Sequence, residues 1–184
     1  MKNIFALITT CILGLSLSYG QMYSTRNAEI TFYSYAPLED IEATNKQVLC
    51  AIKVSTSQIQ FSMLMDAFQF EKALMQEHFN ERYVESHKFP KATFAGTIED
   101  IEKVDFSKAG SYEISVSGDL TIHGITQTVS SEGTLEVGYD ESLTASAIFL
   151  IELGDFNVEI PTMYIDNISS SIEIRVNAKL KPKS

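Results

Sequence analysis

Between Ser111 and Ile122 the chain changes polarity at every step. Tyr112, Ile114, Val116, Gly118, Leu120 and Ile122 fall on one side, and Ser111, Glu113, Ser115, Ser117, Asp119 and Thr121 on the other. A period of two is that of a β-strand, whose successive side chains point to opposite faces. A helix would mix the two sets, so none runs here. The same alternation sets Ile172, Ile174, Val176, Ala178 and Leu180 against Ser171, Glu173, Arg175, Asn177 and Lys179. Shorter versions place Ile30 with Phe32, Val48 with Cys50, Ile52 and Val54, and Ile59 with Phe61, Met63 and Met65. Others place Ala92 with Phe94, Gly96 and Ile98, Val129 with Leu135 and Val137, and Leu143 with Phe149, Ile151 and Leu153. Eight strands result, joined by short linkers with turn chemistry such as Ser107 to Gly110 and Gly138 to Glu141.

Eight strands with one apolar face each build either a two-sheet sandwich or a closed barrel, and periodicity does not choose between them. The inward faces carry a further sign. Ala92, Gly96, Gly118, Ser131, Gly133, Ala145 and Ala147 are small residues at positions where a filled core wants Leu, Ile or Val. Small inward residues leave volume, and an eight-stranded barrel is wide enough to hold one small ligand. The alternative is size complementarity, with Phe61, Phe94 or Phe149 crossing over them. One segment breaks the two-residue period: from Phe70 to Glu85, the rows Phe70, Leu74, His78 and Met75, Phe79, Tyr83 fit one stripe of an amphipathic helix. Pro90 follows and stops it. Such a helix plugs a barrel end or covers an open sheet edge.

The balance of 14 basic against 24 acidic residues, a formal charge of -10, argues against a nucleic-acid partner. Residues 1–20 read as a secretory leader: Lys2 is followed by an apolar run from Ile4 to Leu17, and Ser18-Tyr19-Gly20 supplies small residues at a cleavage site. The run is short for a membrane span. A domain of residues 21–184, periplasmic or secreted, is therefore expected, holding Cys50 as its one cysteine because Cys11 leaves with the leader. The neighbours of Cys50, Leu49 and Ala51, suit a small buried hydrophobe more than a reactive thiol.

Catalytic and metal chemistry find no support. Three His, His78, His87 and His123, lack ligand spacing. Asp119 and His123 lie four residues apart on an extended strand, roughly 13 Å, which is beyond side-chain contact. No nucleophile elbow or phosphate loop is present, and no cofactor is implied. The acidic run Glu39-Asp40-Ile41-Glu42 reads as a solvated face, and Asn167-Ile168-Ser169 as turn chemistry rather than a glycosylation acceptor. The concentration of Phe61, Met63, Met65, Phe68, Phe70 and Met75 suits a flexible apolar chain, or equally a core junction.

The stretch 74–98, LMQEHFNERYVESHKFPKATFAGTI, followed by Leu120-Thr121-Ile122-His123-Gly124-Ile125-Thr126, resembles the YceI-like polyisoprenoid-binding proteins, and so does Ala36 to Ala43. The resemblance implies an all-β fold, an extended eight-stranded antiparallel lipocalin-like barrel, with an interior that takes a long isoprenoid or fatty-acid-like lipid. On that footing strand parity nominates Phe61, Met63, Phe94, Tyr112, Val116, Phe149 and Ile151 as the lining of a tunnel, with His123 and Tyr112 orienting a head group. Transient membrane contact is compatible with such a role, and a homodimer with exposed strand edges and an unpaired Cys50. The competing expectation is an exported stress or interaction protein whose barrel is filled.

Overall fold

A computed structural model describes residues 21–183. The leader expected over residues 1–20, with Cys11, lies outside the described residues. Long strands form at β1 (Met22–Tyr35), β2 (Asp40–Lys53) and β3 (Gln58–Leu64), followed by the two-residue β4 (Gln69–Phe70). After the helical segment come β5 (Lys91–Glu99), β6 (Gly110–Ile122), β7 (Ile125–Val137), β8 (Leu143–Glu152) and β9 (Ser171–Pro182). The ring order is β1-β9-β8-β7-β6-β5-β3-β2, all antiparallel, and β1 pairs again with β2. The sheet is thus a closed eight-stranded barrel, with β4 appended to β2 at Ala43 and Thr44. Among the described residues, closure leaves none of the eight ring strands with an edge free along its whole length.

The strands are longer than the alternation suggests because bulges reverse its parity. On β1 the register shifts between Thr25 and Ala28 and again before Ile30, so Tyr23, Ala28 and Ile30 all face inward. On β2 the inward residues pass from Ala43 and Asn45 to Val48 and Cys50. Asn45 holds that irregularity: its Oδ1 accepts the Gln47 amide at 2.9 Å and its Nδ2 donates to the Leu64 carbonyl at 2.8 Å. A fully buried amide is tolerable because both ends are satisfied.

The helical segment is shorter than its pattern predicts. It comprises α1 (Ala73–His78) and a π-helical turn (Phe79–Tyr83), with Phe70 in β4 instead. Of the expected stripe, Met75, His78, Phe79 and Tyr83 are half-buried, while Leu74 stands 60% exposed.

Alternating strand direction gives the barrel two distinct ends. The cap end carries the β1–β2 turn, residues 65–90, the β6–β7 turn and residues 153–170. At the closed end Tyr23, Ile52, Ile98, Leu135, Leu143 and Leu180 are almost wholly buried. Ile101 and Val104 of the β5–β6 connection plug that end, and the rings of Tyr23 and Phe106 stack at 6.3 Å.

Gly96 and Gly118 face each other across β5 and β6. A Cβ on Gly96 would come within 2.5 Å of the Phe94 ring and of the Ser117 carbonyl oxygen, and one on Gly118 within 2.5 Å of the Ala95 carbonyl oxygen. These two glycines permit close backbone approach rather than leaving space. Gly118→Ala is expected to destabilise the barrel by about 2 kcal/mol in urea unfolding, against less than about 0.5 kcal/mol for Gly154→Ala. Gly154 has nothing within 4 Å of an added Cβ.

Cys50 is 2% exposed, and burial pushes its thiol up to about 12. Among the described residues the folded chain therefore offers no accessible thiol for an intermolecular disulfide. Native protein is expected to react with a thiol reagent at least about a hundredfold more slowly than unfolded protein, read by absorbance.

Candidate functional site

Toward the cap end the barrel is not filled. An apolar cavity of about 390 Å³ lies between the packed floor and the helical cap, within the usual range of about 300–1,000 Å³ for small-molecule sites. Six of the residues nominated from parity line it: Phe61, Met63, Phe94, Val116, Phe149 and Ile151. Of the seven small inward residues, Ala92, Ser131, Gly133, Ala145 and Ala147 also line it. Their short side chains, mostly on β7 and β8, make the hollow. Over it the cap packs Phe32, Phe68, Phe70 and Phe79, with ring centroids 5.1 to 5.7 Å apart.

Tyr112 and His123 are placed elsewhere. The Tyr112 hydroxyl sits at the closed end, 3.2 Å from the carbonyls of both Asp105 and Lys108, and ties down the β5–β6 connection. His123 occupies the two-residue β6–β7 turn with Gly124, both at positive φ (51° and 74°), as that type of hairpin requires. Its Nδ1 lies 3.2 Å from the Phe156 carbonyl and its Nε2 3.1 Å from Glu85 Oε2, with the Phe89 ring edge-on at 4.5 Å. Both partners are acceptors, so the two bonds form together only with both ring nitrogens protonated. His123 is a tie between three cap segments.

Polar groups that parity could not find converge at the cap end of the cavity. Glu39, His78, Tyr83, Tyr164 and Asn167 all contribute to its lining, and all lie on turns or the helical segment. Burial raises the Tyr83 hydroxyl above its ordinary value, with a smaller push from Tyr164, so it stays protonated and able to donate. Among the described residues no group of three or more His, Cys, Asp or Glu is placed to hold a metal ion. A second depression, about 820 Å³, lies on the outer wall and is bordered by Glu29, Glu113, Glu132 and Arg175, which suit no apolar guest.

The YceI-like domain matches this sequence over residues 23–180. The chain belongs to the YceI-like family. No curated protein sequence matches it significantly. Among solved structures, this YceI-like barrel is similar to a polyisoprenoid binding domain from Saccharophagus degradans implicated in plant cell wall breakdown. The two share 11% identity and a TM-score of 0.76, over 89% of this chain and 99% of that one. It is also similar to BcnA of Burkholderia cenocepacia (17% identity, TM-score 0.68, 84% of this chain and 96% of that one). A third likeness is to the Campylobacter jejuni YCEI protein (13% identity, TM-score 0.58, 100% and 99%). At such identities the likeness is one of fold.

The carboxyl of Glu85 is held below its ordinary value of 4.5, first by the hydrogen bond from Lys88 and then by that from His123. A depressed folded value stabilises the cap above the unfolded value, and that contribution is lost as pH falls through the folded one. His123→Ala is expected to loosen the same contacts at neutral pH. Exchange of the Ser86, Phe89 and Val158 amides should quicken about tenfold, with the Leu135 amide unchanged, as read by hydrogen exchange.

Proposed function

We propose that this protein binds a polyisoprenoid or a similar long-chain amphiphile without chemical turnover, storing or carrying it with the tail inside the barrel. The observation that carries this reading is a closed barrel packed at one end and hollow at the other, its hollow lined almost entirely by apolar side chains. Away from its cap end this wall offers few polar partners to hold water, so an apolar chain is its natural occupant. Each Å² of tail hidden there gains about 25 cal/mol. The filled-barrel alternative does not account for it. The name of the similar Saccharophagus degradans domain, polyisoprenoid binding, supports the same class of ligand.

The head group is assigned to the cap end, among Glu39, His78, Tyr83, Tyr164 and Asn167, in place of Tyr112 and His123. There it reaches solvent while the tail points to the floor at Ile59 and Ile114. The leader-like residues 1–20 support action in the periplasm or outside the cell.

Native mass spectrometry of protein purified from its own host without detergent tests the reading. A co-purifying lipid is expected, and its absence from every preparation overturns the proposal. Ala147→Phe should place a ring in the hollow, keep or raise the melting temperature, and weaken binding about tenfold or more. Unchanged affinity in a folded Ala147→Phe variant would place the ligand elsewhere.

A further inference from the structure

Four large apolar side chains stand in water around the cavity mouth. They are Leu38 in the β1–β2 turn (72% exposed), Leu74 on α1 (60%), and Met163 and Ile165 in the β8–β9 connection (75% and 59%). Two bonds draw these segments together: the Leu38 amide donates to the Asp166 carbonyl at 2.9 Å, and Lys72, just before α1, pairs with Glu39. Their immediate neighbours Glu39, Met75 and Tyr164 line the cavity. The rim therefore exposes large apolar side chains to water among its charged ones. A single exposed Leu is ordinary, but a group of four at the opening of an apolar cavity marks a surface that something covers.

Three occupants compete for it. Residues 1–20 join the barrel at Gln21, at the opposite end, where the Val54 amide donates to the Gln21 carbonyl at 3.0 Å. A second copy docked face to face would bring the Asp40, Glu71, Glu77 and Asp166 carboxylates of one copy close to those of the other, which opposes association. A bilayer of zwitterionic lipid brings no such net charge, and apolar side chains on a rim can reach its acyl boundary. The same carboxylates disfavour an anionic leaflet.

We propose that the cap end docks on a zwitterionic lipid surface, with Leu38, Leu74, Met163 and Ile165 as its anchor, so that a tail passes between bilayer and cavity without crossing water. The mouth contacts stand on the tail-binding reading of the cavity, while the docking itself is separately measurable.

Flotation with phosphatidylcholine vesicles reads the docking. It is run on the full chain and on a chain beginning at Gln21, so that any contribution of residues 1–20 is seen apart. The protein is expected to float, and less so when phosphatidylglycerol is added at low salt. The triple variant Leu38→Ser/Met163→Ser/Ile165→Ser should lose about tenfold or more in vesicle partitioning. It should also slow transfer of a fluorescent farnesyl probe from vesicles to the same degree, with solution affinity for that probe within about twofold. Met163→Glu alone gives a second, single-site check, and Ile148→Ser/Leu150→Ser on the outer wall should float as the parent does. Failure of the Gln21 chain to float, or a rim variant that floats equally well, overturns the proposal. So does a rim variant that changes only the oligomeric state. If probe binding in solution fails while flotation persists, the cavity reading falls and the docking surface stands.

Discussion

The pairing of β1 with both of its neighbours is the constraint on which the rest depends. Ile30 stands between Asn45 of β2 and Val176 of β9, and Tyr33 between Glu42 and Glu173. Without that double pairing the sheet would be open, and its apolar face would lie against water. To serve two partners β1 must coil strongly, and its two register shifts supply the bend. Across from them, Asn45 fixes the matching irregularity of β2 with two satisfied hydrogen bonds. Once the ring is closed, an interior exists, and side-chain size decides how much of it is filled.

That filling is uneven for reasons that can be read residue by residue. At the closed end, large side chains from facing strands meet, and Ile101 and Val104 seal the opening. Higher up, Ser131 and Gly133 of β7 and Ala145 and Ala147 of β8 line the hollow, too short to reach across it. The cap's phenylalanines roof the space without entering it. Atoms lining an empty hollow lack packing partners on one side, which lowers stability. An apolar guest offsets that cost, which couples ligand binding to the stability of the cap end.

The alternation made the barrel wall legible, and with it six lining residues, because strand parity fixes which side chains share a face. It misled where a side chain serves a neighbouring backbone. Tyr112 has inward parity and a polar tip, yet its hydroxyl is engaged by the carbonyls of Asp105 and Lys108. His123 lies in a turn, where parity has no meaning, and its partners are 33 and 38 residues away in sequence. Gly96 and Gly118 looked like spacers in a list of small residues, and only the approach of the two backbones shows otherwise. The cap residues Tyr83, Tyr164 and Asn167 belong to irregular segments with no period to follow. The helical stripe was visible in Met75, His78, Phe79 and Tyr83, but not that Leu74 faces solvent nor that the last turn widens to a π-helix at Phe79–Tyr83.

The weakest part of the wall lies beside the hollow. β6 and β7 are paired along their whole length, from Gly110 with Val137 to Ile122 with Ile125. β7 and β8 pair only from Val137 with Leu143 to Gly133 with Ala147, and then part. Beyond that fork the wall is tied by side chains: Gln127 donates to the Asp155 carbonyl at 2.8 Å, and His123 reaches the Phe156 carbonyl. Val129 and Ser131 on one arm, and Phe149 and Leu153 on the other, all face the cavity. A ladder of backbone bonds opens cooperatively, whereas isolated side-chain ties open one at a time, so local opening is easiest along this fork. The cavity therefore has one wall, β5 to β7, held by continuous backbone ladders, and one, β7 to β8, held by backbone only in part.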